Sequence, residues 1–155
     1  MKAKIALAGA AGVIALATTL IKPWEGYETT PYRDIVGVWT VCYGSTTDVI
    51  PQRRYSDAEC QARLDSDIGK HLHGIQQCIH MPLRQNEWAA VLSWAYNVGV
   101  SAACNSTLVR RINGGQPGYM WCYDLRKWVY AKKKYSKGLA NRREAELAMC
   151  LGDVK

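Results

Sequence analysis

The sequence predicts an α+β protein in which a small β-containing lobe precedes a larger helical lobe and an apolar helix stands in front of both. Residues 25–50 are rich in Gly, Thr, Tyr and β-branched residues, which are typical of short strands and turns. After Pro51 the apolar residues recur at helical spacing. The length of 155 residues suffices for one domain with a core and is too short for two ordinary ones.

The leading segment is an uncharged apolar run from Ile5 to Ile21 that follows Lys2 and Lys4. As a helix it would be roughly 25 Å long, close to the lower limit for crossing a bilayer. Lysines in front of an apolar run are typical of an export signal whose lysines stay inside the cell. We therefore expect export, and we expect the inner membrane to be a partner of this segment.

The apolar run is only weakly apolar, because alanines, threonines and glycines such as Gly9 and Gly12 dilute it. Three fates stay open. The segment could be cleaved after Ala17, stay as a permanent anchor, or anchor first and leave the bilayer later. A buried amphipathic helix of a cytosolic protein is a fourth interpretation, which the lack of a polar face disfavours.

The six cysteines predict three disulfide bonds in an oxidising compartment, with fifteen possible pairings. No two of them have the CxxC spacing of common zinc sites, and we expect no metal and no cofactor. A metal site at Cys78 with His73 and His80, and free cytosolic thiols, are the alternatives. The candidates for disulfide bonds are Cys42, Cys60, Cys78, Cys104, Cys122 and Cys150.

The net charge of +7 favours an anionic partner, which could be nucleic acid, a membrane surface or the bacterial cell wall. Charge alone does not choose among them. Export and disulfide bonds argue against nucleic acid. The lysine-rich stretch 132–137 is most simply a solvated loop, and it could also contact anionic wall polymers or phosphates.

A β-hairpin or small sheet is predicted over 34–44, and helices are predicted after it. Ser56 and Glu59 form a capping-box pattern that opens the first helix. The second, within 83–99, ends at Gly99. Shorter helical patterns cover 106–115 and 116–131, and the last helix is expected to begin at an Asn141 cap. Trp88, Trp121 and Trp128 are predicted core residues.

Three polar side chains in the first lobe form a constellation that suits the cleavage of a glycosidic bond. Such cleavage needs one protonated carboxyl group and a second carboxylate that activates water or attacks. Glu25 directly follows Pro23 and Trp24, an apolar surrounding of the kind that keeps an acid protonated. Asp34 follows a turn-like stretch where it can be hydrated, and the Thr40 hydroxyl can hold a water.

The pattern of Glu, eight residues, Asp, five residues and Thr resembles the active-site pattern of phage-type lysozymes, glycoside hydrolase family 24. The stretches GVWTVCYG, AYNVG, STLVRRIN and NRREAE look like later blocks of that family in the right order. The resemblance covers roughly 24–151. With the apolar leader and six cysteines, the chain resembles the signal-anchor-release endolysins of phages and prophages, which implies a lysozyme-like fold.

The resemblance implies a muramidase that cleaves the β-1,4 bond between N-acetylmuramic acid and N-acetylglucosamine with inversion. Glu25 would be the general acid, Asp34 the base and Thr40 the holder of the attacking water. Arg142 would pair with Glu25 and orient it. Where the family often has a His after the Thr, this chain has Ser45, so a structural His–acid pair is missing and the local stability of that lobe is in question.

The expected organisation is a signal-anchor-release segment at 1–22 and a lysozyme domain at 23–155, whose small lobe covers about 23–55 and whose helical lobe covers about 56–155. We expect a monomer that faces the periplasm from the host inner membrane and is then released to act on peptidoglycan. Glu25 lies only four residues after Ile21, so the anchored form is expected to be inactive. A non-enzymatic, membrane-anchored wall-binding protein and a lytic transglycosylase are the competing functions.

Overall fold

The computed structural model describes residues 7–152 as seven α-helices, two 3₁₀ turns and two small antiparallel sheets. The predicted α+β fold, with a small β-containing lobe and a helical bulk, is confirmed. In chain order the elements are α1 (Leu7–Ile21), a 3₁₀ turn (Lys22–Trp24), β1 (Glu28–Arg33), β2 (Trp39–Cys42), α2 (Asp57–Gln76), α3 (Gln85–Val98), α4 (Val100–Cys104), α5 (Thr107–Asn113), α6 (Gly118–Trp121), a 3₁₀ turn (Cys122–Lys127), β3 (Tyr130–Ala131), β4 (Lys134–Tyr135) and α7 (Lys137–Leu151).

Helix α3 is the centre of the helical lobe. Every residue from Glu87 to Ala95 is buried, because α1, α2 and α7 pack around it. A helix buried on all sides needs apolar residues all round, and this stretch supplies them at every position except Glu87 and Ser93. The predicted stop is confirmed, since Gly99 has a φ of 95°, a left-handed conformation that favours glycine.

Helix α1 packs one face into the same core although its sequence has no polar face. Val13 and Ala17 are buried on that face, together with Leu20 and Ile21 at its end. Gly12 lies so close to α3 that a Cβ there would overlap the Gln85 amide. Within residues 7–152, no helix is both long and apolar enough to cross a bilayer. Ile5 lies outside the described residues.

The small lobe is the antiparallel pair β1–β2, which includes the predicted hairpin and begins earlier in the chain than the prediction placed it. Tyr32 pairs with Thr40, and the register is irregular between Glu28 and Tyr32. The lobe joins α2 at its N-terminus, where the predicted capping box of Ser56 and Glu59 is confirmed. The side-chain oxygen of Ser56 accepts the Glu59 N–H, and the Glu59 carboxylate accepts the Ser56 N–H.

The prediction of three disulfide bonds is confirmed. One bond, Cys42–Cys60, fixes β2 to α2 and therefore the small lobe to the helical lobe. The other two lie within the helical lobe and join Cys78 to Cys104 and Cys122 to Cys150. The alternatives of free thiols and of a metal bound by Cys78 are thereby not realised, since no cysteine of the chain is free.

Two helix predictions in the last third of the chain were wrong. The stretch 116–131 is not one helix but α6, a 3₁₀ turn and the strand β3. Trp121 is nevertheless buried as predicted, and Leu125 is buried beside it. Helix α7 begins at Lys137 and not at an Asn141 cap, because the Ser136 hydroxyl caps it by accepting the Leu139 N–H.

The lysine-rich stretch 132–137, expected to be a solvated loop, instead contains the turn and second strand of a hairpin and the first residue of α7. Strands β3 and β4 pair with Tyr130 opposite Tyr135. Trp88 is buried as predicted, whereas Trp128 is only half-buried and lies edge-on to the Trp94 ring.

Candidate active site

The carboxylate of Glu25 lies at the junction of the two lobes. Glu25 ends the 3₁₀ turn that follows α1, and its N–H donates to the Lys22 carbonyl at 3.3 Å. The turn forms because Pro23 fixes φ without needing a hydrogen-bond donor at the start of a helix. The Glu25 side chain is 24% exposed, so it is partly desolvated and still open to a ligand.

Arg142 reaches Glu25 from α7, as expected for the residue that would orient it. The Nη1–Oε1 distance is 3.5 Å, and the Arg142 side chain is only 6% exposed. A buried guanidinium in this position holds a planar, permanently charged donor beside the carboxylate. The adjacent Arg143 does not make this contact, because its guanidinium pairs with Glu146 and donates to Asn97.

A cleft of about 520 Å³ opens in front of Glu25. Tyr43 and Gly44 line it from the small lobe, and α2 and the end of α3 line it from the helical lobe. The α2 residues on this wall are Asp67, Lys70 and His71, so the wall is polar and carries charges of both signs. The cleft therefore has the position and composition expected for a polar, elongated ligand that lies between two lobes.

The carboxylate of Asp34 holds the loop that joins β1 to β2. Its Oδ1 accepts the N–H groups of Val36 and Val38, both at 2.9 Å. The Asp34 N–H also donates to the Val38 carbonyl at 2.9 Å. Both side-chain bonds end on Oδ1, so the loop fixes the carboxylate without using Oδ2. A half-buried, pre-oriented oxygen of this kind can act as a base.

Thr40 lies on β2, and its side chain is almost fully buried, with 5% exposure. Its hydroxyl donates to the Val38 carbonyl at 3.0 Å. Because the hydroxyl proton is used there, the oxygen lone pairs can accept a hydrogen bond from water. Asp34 and Thr40 thus lie on one hairpin, and both are hydrogen-bonded to Val38. Neither of them lines the 520 Å³ cleft, whereas Glu25 does.

Tyr96 is a cleft residue that the sequence analysis did not single out. Burial, followed by the negative charges of Glu25 and Asp67, raises the pKa of Tyr96 to about 12, so its hydroxyl is protonated at physiological pH. Its ring lies 4.7 Å from the His71 ring, measured between centroids. The tyrosine follows a run of buried α3 residues at the point where the helix reaches the cleft, which is the only sequence signal for it.

Behind the cleft wall lies a fully buried ion pair, Arg143–Glu146, with an Nε–Oε1 distance of 2.6 Å. Arg143 also donates from Nη2 to the Oδ1 of Asn97 at 3.0 Å, and Asn97 lines the cleft. Burial raises the pKa of Glu146 and lowers the pKa of Arg143, because each charge has lost its water. The pair therefore supports the cleft wall at a desolvation cost.

Arg63 holds the loop after β2. The sequence lacks the His–acid pair that the family often has in this region. Ser45 is buried, and its hydroxyl accepts from Arg63 Nη1 at 3.1 Å. Arg63 extends from α2 and also donates to the carbonyls of Thr47 and Asp48 at 2.6 and 3.0 Å, and to the Tyr55 hydroxyl at 3.3 Å. These hydrogen bonds hold the loop without the His–acid pair, whose absence put the stability of the small lobe in question.

We expect Arg63→Met to lower the free energy of unfolding by about 2 kcal/mol, since it removes several hydrogen bonds from a charged donor. Urea unfolding of the oxidised protein measures this, and hydrogen exchange should show faster exchange confined to residues 41–55. Arg54→Met is the matched control, because Arg54 is exposed. Equal effects of the two variants would contradict the assigned role of Arg63.

A second depression, of about 460 Å³, lies between the start of α3 and α6. Its one buried carboxylate, Glu87, is paired with Arg84. The Glu87 Oε1 lies 3.1 Å from Arg84 Nε and also accepts the backbone N–H of Arg84. None of the predicted catalytic residues lines this depression. Glu87 has a capping role there, since its carboxylate closes the capping box at the start of α3.

Comparisons with known proteins identify the family of this chain. The family Phage lysozyme matches residues 22–146. A SAR-endolysin of Bacteriophage PS119 is 41% identical over 147 residues, which cover 90% of this chain and 87% of that one.

Two solved structures of the P1 phage endolysin Lyz are also similar. The active form has a TM-score of 0.74 at 26% identity and covers 97% of each chain. The secreted inactive form has a TM-score of 0.51 at 24% identity and covers 98% of this chain and 99% of that one. The family match and the relative together show that this chain belongs to the phage lysozyme family of glycoside hydrolases.

Proposed function

We propose that the protein is an exported endolysin that hydrolyses the β-1,4 bond between N-acetylmuramic acid and N-acetylglucosamine in peptidoglycan and so lyses the host cell. The observation that carries the proposal is the partly desolvated Glu25 carboxylate, paired with the buried Arg142 at the floor of an inter-lobe cleft. Membership of the phage lysozyme family supports the reaction class.

In the proposed mechanism Glu25 gives its proton to the leaving glycosidic oxygen. Arg142 holds the carboxylate in place and stabilises the negative charge that remains after the transfer. Asp34 accepts a proton from the attacking water, and Thr40 holds that water on the opposite face of the sugar. Two carboxyl groups on opposite faces with a water between them give inversion at the anomeric carbon.

Two competing functions make different predictions about products. A lytic transglycosylase needs one acid and no attacking water, and it leaves anhydro-sugar ends. A membrane-anchored wall-binding protein leaves the glycan intact. The Thr40 hydroxyl, bonded to Val38 beside the Asp34 loop, favours hydrolysis, because neither competing function requires a water holder.

Digestion of purified peptidoglycan, read by mass spectrometry, tests the proposed reaction. The full, oxidised chain is required, since the loss of α1 would expose the core face of α3. We expect muropeptides with hydrated reducing ends. Anhydro ends would establish the transglycosylase instead, and intact glycan from folded, disulfide-bonded protein would favour the binding protein.

We further propose that residues 1–22 first hold the protein in the inner membrane and that the released segment then becomes part of the enzyme as α1. Cleavage after Ala17 would remove Val13 and Ala17 from the core, which argues against that fate. The higher TM-score with the active form of Lyz than with its secreted inactive form supports an active-like arrangement here. On this proposal the released protein works as a monomer in the periplasm. The boundary between residues 22 and 23 then marks the segment that anchors first, and after release that segment is part of the same folded domain.

The exposed face of α1 allows a sharper test of release than its glycines do. Ala11, Ala15 and Thr19 are exposed, whereas a larger residue at Gly12 would clash with Gln85 and disturb the fold. Replacing the three exposed residues by Leu should trap the protein, because each added leucine contributes roughly 2 kcal/mol of transfer free energy into lipid. We expect a several-fold smaller released fraction and delayed lysis.

The matched control replaces the same three residues, 11, 15 and 19, by Ser, which makes the segment less apolar and leaves the core untouched. It should release at least as readily as the unchanged protein. If the leucine variant is confirmed in the membrane fraction and lysis still keeps its normal timing, release is not the activating step.

A further inference from the structure

The hairpin formed by β3 and β4 has an unusual turn. Lys132 and Lys133 occupy its two central positions with φ values of 49° and 65°. A two-residue turn of this hand normally takes Asn-Gly, because a side chain with a Cβ costs roughly 1–2 kcal/mol per residue in the left-handed region. The chain therefore places two lysines at the tip where the backbone alone would favour other residues.

The lysines of this hairpin, and Lys137 at the start of α7, have no acidic partner within the described part of the chain. Lys132, Lys133, Lys134 and Lys137 form no ion pair with any residue of the described chain, 7–152. The nearby basic residues are different, since Arg126 pairs with Glu144. Four uncompensated positive charges within six residues make the hairpin the most concentrated cationic feature of the helical lobe.

Two tyrosines flank the lysine tip. Tyr130 and Tyr135 are opposite each other in the register and are 64% and 62% exposed. Their ring centroids are 6.3 Å apart in an edge-on arrangement. An aromatic ring with a polar hydroxyl suits the headgroup region of a bilayer, which is apolar on one side and wet on the other.

We propose that this hairpin is a docking surface for an anionic phospholipid bilayer, to which the released enzyme returns by its helical lobe. A projecting tip of lysines meets a flat layer of lipid phosphates without needing a pocket, and the tyrosine rings enter the headgroup layer beside it. Each lysine near such a surface contributes about 1 kcal/mol. The surface is separate from the Glu25 cleft and does not depend on the catalytic assignment.

Sedimentation with vesicles tests this proposal. The full chain is mixed with vesicles of phosphatidylethanolamine and phosphatidylglycerol, and with vesicles of phosphatidylcholine alone. The variant Lys132→Asn with Lys133→Gly removes two charges and fits the turn better, so it should fold at least as well. We expect it to lower the partition coefficient on the anionic vesicles by about ten- to thirtyfold, with digestion of solubilised peptidoglycan unchanged.

The matched control removes two exposed charges elsewhere, with Arg54→Gln and Arg110→Gln, and should lose less than threefold. A second variant, Tyr130→Ser with Tyr135→Ser, keeps every lysine and should also bind more weakly. All the variants share α1, so insertion of that segment cannot account for a difference between them.

Three results would overturn the docking proposal. One is equal binding of the unchanged protein to neutral and anionic vesicles. Another is an equal loss in the control that lacks Arg54 and Arg110. The third is a loss of binding to lipid-free peptidoglycan as large as that to the vesicles, which would assign the hairpin to a wall polymer.

Discussion

Glu25→Gln is expected to lower kcat/KM on peptidoglycan by about 10²–10⁴-fold while the protein stays folded. Gln has the same size and can still accept a hydrogen bond from Arg142, so the geometry around the Nη1–Oε1 contact of 3.5 Å is retained. What it cannot do is give a proton to the leaving oxygen. The measurement is the initial rate of release of soluble muropeptides, with circular dichroism to verify folding.

Glu28→Gln is the matched control for this variant. It makes the same chemical change, a carboxylate to an amide, three residues away at the exposed first position of β1. We expect its rate to stay within about twofold of the unchanged enzyme, a difference that corresponds to less than roughly 0.5 kcal/mol. Equal losses from both variants, or an active Glu25→Gln, would show that Glu25 is not the acid.

Arg143→Met is expected to lower the free energy of unfolding by about 3–5 kcal/mol, because it leaves the fully buried Glu146 carboxylate without its partner. It also leaves Asn97 without the Nη2–Oδ1 bond of 3.0 Å at the cleft wall. Urea unfolding at neutral pH measures the loss. Arg126→Met is the control: its pair with Glu144 is exposed and screened by solvent, so we expect a much smaller loss.

A double-mutant cycle separates the free energy that the Arg143–Glu146 pair contributes from the cost of leaving one of its charges buried without a partner. Arg143→Met combined with Glu146→Leu should be less destabilising than Arg143→Met alone, because no unpaired charge stays buried. pH gives a second check. Since burial raises the folded-state pKa of Glu146, protonation favours the folded state, and the loss in Arg143→Met should shrink below the ordinary glutamate pKa of about 4.3 and grow above it. Additive effects would contradict the assigned coupling.

The sequence was most informative where a local pattern has one physical solution. The capping box at Ser56 and Glu59 could be identified from the sequence because its bonds join residues three positions apart. Gly99 could be identified as a stop for a similar reason, since few other residues accept its φ. The spacing of Glu25, Asp34 and Thr40 indicated the candidate site through its resemblance to a family.

The features that the sequence did not reveal depend on distant parts of the chain. Ser45 is satisfied by Arg63, and that bond joins residues whose spacing carries no local signature. The helical pattern over 116–131 is broken although the apolar spacing is good, because the segment turns back into β3. Helix α1 looked like a membrane segment by composition, yet the same small residues let it pack closely on α3.

The most direct test of the central claim is the anomeric configuration of the first product, followed by proton NMR during digestion of a purified glycan oligomer. Attack by a water held on the face opposite Glu25 converts the β bond to an α product, and the account predicts that the α anomer appears first and then mutarotates. An initial β anomer would contradict the roles given to Asp34 and Thr40, and an anhydro product would contradict hydrolysis itself.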